Sequence, residues 1–163
     1  MKELLLKLKR ADLTHARNLV LLDTCFIISM MEHKEKIGRL SSLPIATTSF
    51  NIEELMHVEH SLHHEIRKRL RAFLKEGRLL VVDIDVSPGD WEAEKNFVDS
   101  VDEELLKAIP DASDAVLLAA AIKTRSIVLT KDKHHLFTVT LENFLNRYKL
   151  KVYKDMKVCF DDD

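Results

Sequence analysis

Residues 18–25 read NLVLLDTC, and the fold follows from how that stretch ends. Asn18 to Leu22 is a short apolar run with no polar alternation, the pattern of a strand buried on both faces of a parallel sheet. The run stops at Asp23, and Thr24 can begin the helix that follows, CFIISMMEHKEKIGRL. A carboxylate at the point where a buried strand gives way to a helix lies at the carboxyl edge of the sheet, where open α/β folds bind their ligands.

The same grammar recurs downstream. Pro44 to Thr48 (PIATT) predicts a second strand after the breaker Pro44, with Ser49 as N-cap of the next helix. From Ile52 a helical pattern runs to about Lys75, with Leu55, Leu62, Ile66, Leu70 and Phe73 at three-, four- or seven-residue spacing and Gly77 as its stop. Leu79 to Ile84 (LLVVDI) predicts a third strand. Ser87-Pro88-Gly89-Asp90 supplies a cap, a proline at the first helical position and an acid three residues after the cap, for a helix ending before Pro110. Asp111 to Thr124 (DASDAVLLAAAIKT) is apolar around most of its circumference, hence a buried helix. Ile127 to Thr130 (IVLT) predicts a fourth strand with Asp132 just beyond it; Thr140 caps a short helix, and Leu150 to Val158 adds an edge strand. Lys2 to Asp12, with Leu4, Leu5 and Leu8 among lysines, reads as an amphipathic helix, so residues 1–17 form an N-terminal helical extension. Strands alternating with helices imply a three-layer, doubly wound α/β domain spanning 1–163, its mostly parallel four- to five-stranded sheet flanked by helices.

Composition supports one ordered domain. The chain has 163 residues, 46% hydrophobic and 32% charged, with only three glycines and three prolines, which excludes disorder, repeats and disulfide scaffolds. Cys25 and Cys159 fit no metal or redox spacing and read as reduced, buried fillers. No apolar stretch approaches the roughly 18 residues of a membrane span, and MKELLLKLKRAD is too charged for a signal peptide, so a cytoplasmic, membrane-free location is expected. A formal net charge of -2 gives no global attraction to nucleic acid, so the distribution of charge decides.

Asp23 and Asp132 fall at the carboxyl edge directly, while Glu54 and Asp114 reach it from the first turns of helices. Four carboxylates cannot remain ionised together unless a cation offsets their repulsion, and Mg2+ and Mn2+ prefer oxygen donors. Such an ion lowers the pKa of water and stabilises a departing phosphodiester oxygen. Duller readings exist for each acid: Asp111 serves equally as the N-cap of its helix, and Asp23 and Asp132 as solvated loop acids. The dull reading is weaker for Asp114, which directly precedes AVLLAAA and would be half-buried without a partner. Glu53 and Glu54 are adjacent, so only one faces the site, and Glu53 is assigned to solvent.

Taken together, LLDTC around Asp23, TTSFNIEEL with Glu54 before Leu55, DASDAVLLAAA with Asp114, and VLTKDKHHLF with Asp132 and Phe137 resemble the PIN-domain ribonucleases, and among them the VapC-like toxins. The resemblance covers about Asn18 to Val158. It implies a Mg2+- or Mn2+-dependent endoribonuclease whose metal is held by Asp23, Glu54, Asp114 and Asp132, with Asp111 as an auxiliary acid and Thr24 and Thr130 as polar neighbours contacting substrate. It also implies a homodimer and, for a toxin, a cognate antitoxin. The stretch before the first strand departs from the small toxins, which usually begin at or near it; with the long basic helix, it leaves an RNA-processing role beside the toxin one.

Arg67, Lys68, Arg69 and Arg71 read either as a solvated helix face or as phosphate-tracking residues. His57, His60, His63 and His64 lie along the same predicted helix; His60 and His64 have the spacing of a zinc pair but lack a third ligand, and read as solvated or RNA-facing. His134 and His135 are loop residues near Asp132, and Trp91 is expected to pack at a helix start. Two other readings compete: a PIN-like scaffold that binds RNA or protein without cutting, and a receiver phosphorylated on aspartate, which finds only a poor acceptor in Asp83 or Asp85.

Overall fold

In the computed structural model, which describes residues 1–33, 40, 42–132 and 138–156, the apolar runs become parallel strands. Among the described residues these are β1 (Arg10–Asp12), β2 (Val20–Leu22), β3 (Ile45–Thr48), β4 (Leu80–Asp83), β5 (Ile127–Leu129) and β6 (Val152–Tyr153). They form a six-stranded sheet in the order β1-β4-β3-β2-β5-β6, every neighbouring pair parallel. The helices between them are α1 (Lys2–Leu6), α2 (Thr24–His33), α3 (Ser49–Val58), α4 (His64–Lys75), α5 (Trp91–Val101), α6 (Leu105–Ala108), α7 (Ala112–Thr124) and α8 (Val139–Asn146).

Every residue of β2 and β3 is buried, as expected of strands covered on both faces. Alternate residues feed two cores. Val20, Leu22, Ile45, Val81 and Leu129 pack with Phe26, Ile27 and Met30 of α2 and Leu70, Phe73 and Leu74 of α4, joined by Leu5 of α1. Leu21, Ala46, Val82 and Val128 pack against α7, Val98 of α5 and Leu141, Phe144 and Leu145 of α8. Each large aliphatic or aromatic side chain so buried contributes about 1.5–3 kcal/mol. The polar side chain of Thr47, fully buried in β3, is satisfied by donating to the Leu22 carbonyl at 2.9 Å.

The sheet is one strand larger than the upper expectation, and the extra strand comes from the N-terminal stretch. After α1 the chain does not continue as a helix: Arg10–Asp12 adds to the edge beside β4. The Arg10 guanidinium fixes that edge by donating from Nε to both Asp83 carboxylate oxygens, at 2.9 and 3.1 Å. With three residues, β1 is too short for an apolar alternation to betray it.

The long helix expected over 52–75 is broken. α3 ends at Val58, a 3-10 turn covers Glu59–Ser61, and Leu62 is extended before His63 caps α4 by accepting from the Glu65 amide at 3.4 Å. Apolar spacing continued through the break because both helices pack on one core, so periodicity alone could not show it. Three caps also move. Thr48, not Ser49, accepts from the Asn51 amide at 3.1 Å; Asp90, not Ser87, accepts from Ala93; Thr138, not Thr140, accepts from Leu141. The helix expected before Pro110 divides into α5 and α6, and β6 is shorter than the expected 150–158 strand. Cys159 lies outside the described residues.

α7 ends with Arg125 in the left-handed region, φ 51° and ψ 43°, while the Ser126 amide reaches back to the Ala121 carbonyl at 3.0 Å. This closure normally recruits glycine, because a Cβ there meets the following carbonyl. Arg125→Gly should therefore raise the urea midpoint at unchanged slope, a net gain of about 0.5–1 kcal/mol after the added entropy of the unfolded chain. A lowered midpoint would show that the arginine side chain contributes more than its backbone costs.

Candidate functional site

β2 leads into α2 on one face of the sheet, whereas the neighbouring β5 leads to α8 on the other. A crevice opens where adjacent strands send their connections apart. Asp23 stands at this point: its amide still bonds to the Leu129 carbonyl at 3.0 Å, while its side chain is released from the sheet. Thr130, Lys131 and Asp132 follow β5. Glu54 comes from the second turn of α3 and Asp114 from the first turn of α7. All four expected carboxylates, Asp23, Glu54, Asp114 and Asp132, line one open cavity of about 650 Å³, together with Thr24, Lys131 and His57.

The cavity floor is a hydrogen-bonded network. The buried Thr130 hydroxyl donates to Asp23 Oδ2 at 2.7 Å and accepts from the Asp132 amide at 3.1 Å, so one side chain fixes the acid and starts the loop bearing the next. Thr24 Oγ1 lies 2.8 Å from Glu54 Oε2, to which it donates. Between the two acids sits Asn51, only 3% exposed. Its Nδ2 donates to Asp23 Oδ1 at 3.3 Å and to Glu54 Oε2 at 3.1 Å. The Thr48 hydroxyl donates to Asn51 Oδ1 at 2.6 Å, which turns the amide so that its NH2 faces the acids. Thr48 thus caps α3 and orients its most buried polar side chain.

Electrostatics reflect the crowding. Burial raises the Glu54 carboxyl above its ordinary range, and the charges of Asp23 and Asp114 push the same way, against the donors Thr24 and Asn51. The Cys25 thiol, which donates to Asp23 Oδ2 at 3.0 Å, is pushed up to about 11, first by burial and then by the Asp23 charge. It is a protonated donor at neutral pH.

The donor set is suited to a hard dication: the convergent acidic groups are oxygen ligands, and the penalty on Glu54 is what a cation would relieve. Among the described residues no three His, Cys, Asp or Glu lie together in a way that could hold a metal ion. Mg2+ and its relatives keep several waters and bind through one or two carboxylates plus substrate phosphates.

Other expected residues are placed differently. Asp111 is exposed and caps α7, accepting from the Ser113 amide at 3.0 Å. Glu53 points away from Glu54 and accepts from the Ser87 hydroxyl at 3.2 Å. Arg67, Lys68 and Arg71 line a separate cavity on α4. His60 and His64 are parted by the break between the 3-10 turn and α4, which removes their helical spacing. Trp91 is 67% exposed at the start of α5, with Lys95 over its ring, rather than packed in the core. Asp83, the receiver-type acceptor, is tied up by Arg10 at the sheet edge. His134, His135 and Phe137 lie outside the described residues. Asn51 and Lys131 join the site with no motif to mark them, and Cys25, expected as a buried filler, is half-buried in its lining; the signal for Asn51 is its place three residues after Thr48 and three before Glu54.

The PIN domain family model matches residues 20–139. Solved structures with this fold include the DNA-bound VapBC of Salmonella typhimurium, with 15% identity over 83% of this chain and 97% of that one and a TM-score of 0.54. VapBC2 of Rickettsia felis, bound to a promoter DNA fragment, has 16% identity over 83% and 97% and a TM-score of 0.51. VapBC-1 of nontypeable Haemophilus influenzae has 20% identity over 83% and 96% and a TM-score of 0.50. At these identities the likeness is one of fold. No curated protein matches the sequence.

Two outcomes test the floor of the site. Asn51→Ala should destabilise the protein by about 1–3 kcal/mol in urea melts, and Asn51→Asp by more, the gap widening as pH rises because a third carboxylate must ionise beside two others. In a Cys159→Ser background, iodoacetamide labelling of Cys25 at pH 8 should run about a hundredfold below a free thiol and climb only toward pH 11, as a two-unit shift in thiolate fraction requires. A rate already at its plateau by pH 9 contradicts the protonated-donor role.

Proposed function

Because the chain belongs to the PIN domain family, we propose that it is a Mg2+- or Mn2+-dependent endoribonuclease, hydrolysing phosphodiester bonds of single-stranded or looped RNA. The observation that carries this reading is the meeting of Asp23, Glu54, Asp114 and Asp132, from four separate elements, in one cavity at the carboxyl edge of the sheet. The same four residues are the proposed metal ligands and catalytic acids. Asp111, exposed one turn before Asp114, has an auxiliary role through the helix start it caps. The chemistry such a cation supplies when bound is a lowered pKa for the attacking water and neutralisation of charge on the phosphodiester.

The remaining work falls to the chain. Asn51, Thr24 and Thr130 hold Glu54 and Asp23 at fixed orientation, so the acids meet an incoming phosphodiester without rearrangement. Thr24 lines the cavity and can also touch substrate, while the buried Thr130 acts through Asp23. Lys131, whose ammonium lies 5.5 Å from the Phe26 ring centroid, is the cavity cation suited to a phosphate oxygen. The VapBC assemblies that share this fold support a toxin role with a small antitoxin as partner, and homodimerisation belongs to the same proposal. Among the described residues no helix is long and apolar enough to cross a membrane.

Purified protein incubated with mixed RNAs should cleave them when Mn2+ or Mg2+ is added and stop when the ion is chelated. Asp114→Asn should lower that activity by at least about a hundredfold with an unchanged circular dichroism spectrum. Undiminished cleavage by the variant would remove Asp114, and with it the proposed metal site, from the reaction.

A further inference from the structure

An acidic cavity attracts metal but not RNA. Among its described lining residues Lys131 is the permanent cation, set against Asp23, Glu54, Asp114 and Asp132. A polyanion bound there draws little affinity from the protein itself, since such affinity comes mainly from Lys and Arg neutralising phosphates. A dense cluster of cations lies on α4, where Arg67, Lys68, Arg69, Arg71 and Lys75 fall within nine residues of a chain whose net charge is -2.

Arg69 is used internally, donating to the Met31 carbonyl at 2.7 Å. The others form a stripe. His64, Arg67, Lys68, Arg71 and Lys75 recur at three- and four-residue intervals and line an open cavity of about 440 Å³, with Ala72 as its apolar member. At 1.5 Å per residue the stripe runs roughly 16 Å along the helix. Within it, Nε of Arg67 is buried and, among the described residues, has no hydrogen-bond partner. A buried donor left unpaired costs about 1–3 kcal/mol, a penalty that an oxygen acceptor entering the cavity removes. Arg71 reaches Glu59 only at 3.7 Å and 52% exposure, a contact readily exchanged for a phosphate.

The stripe is mechanically joined to the acids. α4 packs on α2, which carries Thr24 and Cys25, and it follows α3, which carries Glu54 and His57, after a single 3-10 turn. Extended cations without apolar anchors suit a phosphodiester backbone better than a protein surface, whose interface core would require aromatic or aliphatic hot spots.

We propose that this face of α4 is an exosite for the sugar-phosphate backbone of single-stranded RNA, binding the strand beyond the segment that enters the acidic cavity. The inference rests on the ribonuclease reading, but its test is a binding measurement that needs no turnover. The full chain bearing Asp114→Asn is titrated, with metal chelated, against fluorescein-labelled single-stranded RNA of about twelve nucleotides, and anisotropy is followed between about 50 and 200 mM salt. Adding Arg67→Gln, Lys68→Gln and Arg71→Gln should weaken binding at least about tenfold and reduce the slope of log affinity against log salt by about 2, at roughly 0.7 per lost phosphate contact. Because Arg67 is half-buried, the Lys68→Gln/Arg71→Gln pair serves as a second variant, with a slope reduction of about 1.4.

Unchanged affinity and slope in both variants would overturn the exosite. So would equal competition by poly-glutamate of matched charge, which would assign the face to acidic proteins. Weakened RNA binding in the variants, beside a parent chain that cleaves no RNA under any divalent ion, would uphold the exosite while refuting the ribonuclease reading. In the active background the triple variant should cleave the long RNA more slowly through KM, while a dinucleotide too short to span both sites is cut at an unchanged kcat/KM.

Discussion

Two carboxylates that repel each other, Asp23 and Glu54, are held together by one amide. Asn51 donates to both, and the Thr48 hydroxyl prevents that amide from turning its oxygen toward them. The arrangement exists only where β2, β3 and β5 end side by side: Asp23 caps the first, Thr48 and Asn51 follow the second, and Thr130 follows the third. The sheet order is therefore not a neutral scaffold. Exchanging β5 for any other neighbour of β2 would take Thr130 and Asp132 away from Asp23 and leave the acid without its shortest hydrogen bond.

The crowding has an energetic consequence. Burial and neighbouring charge both disfavour ionised Glu54, whereas Thr24 and Asn51 favour it, so the folded chain carries a partly compensated electrostatic cost at this site. A hard dication supplies what neutral donors cannot, because hydrogen bonds stabilise each carboxylate singly while a cation cancels the repulsion among them. The protonated Cys25 thiol belongs to the same logic. It adds a donor to Asp23 without adding charge, which a thiolate would do.

Much of this was legible in the sequence, and what was legible had a common cause. Strands buried on both faces leave continuous apolar runs, so β2, β3, β4 and β5 stood out, and the acids just beyond them could be assigned to one edge. β1 was hidden because an edge strand of three residues, exposed or half-buried throughout, has no apolar pattern to display. The break before α4 was hidden because α3 and α4 bury leucines in the same core. Asn51 escaped for a different reason: an asparagine early in a helix usually serves the backbone, and its role toward Asp23 becomes visible only when residues 28 positions apart meet. Asp111 shows the converse, since its local role as a cap was readable from its position alone.

The segregation of charge ties these observations together. On the proposed function the carboxylate site faces opposing demands, because the groups that attract a dication repel the polyanion to be cut. Mixing lysines among the acids would satisfy the substrate but would neutralise the carboxylates through ion pairs and weaken their hold on metal. Placing the cations on a neighbouring helix avoids that conflict. The ammonium of Lys131 rests over the Phe26 ring, whose π face accommodates its charge. The net charge of -2 averages over surfaces of opposite character and says little about affinity for nucleic acid. On the proposed function, the short turn from α3 to α4 sets the separation of acids and bases, and with it how much of a strand would be extended to engage both.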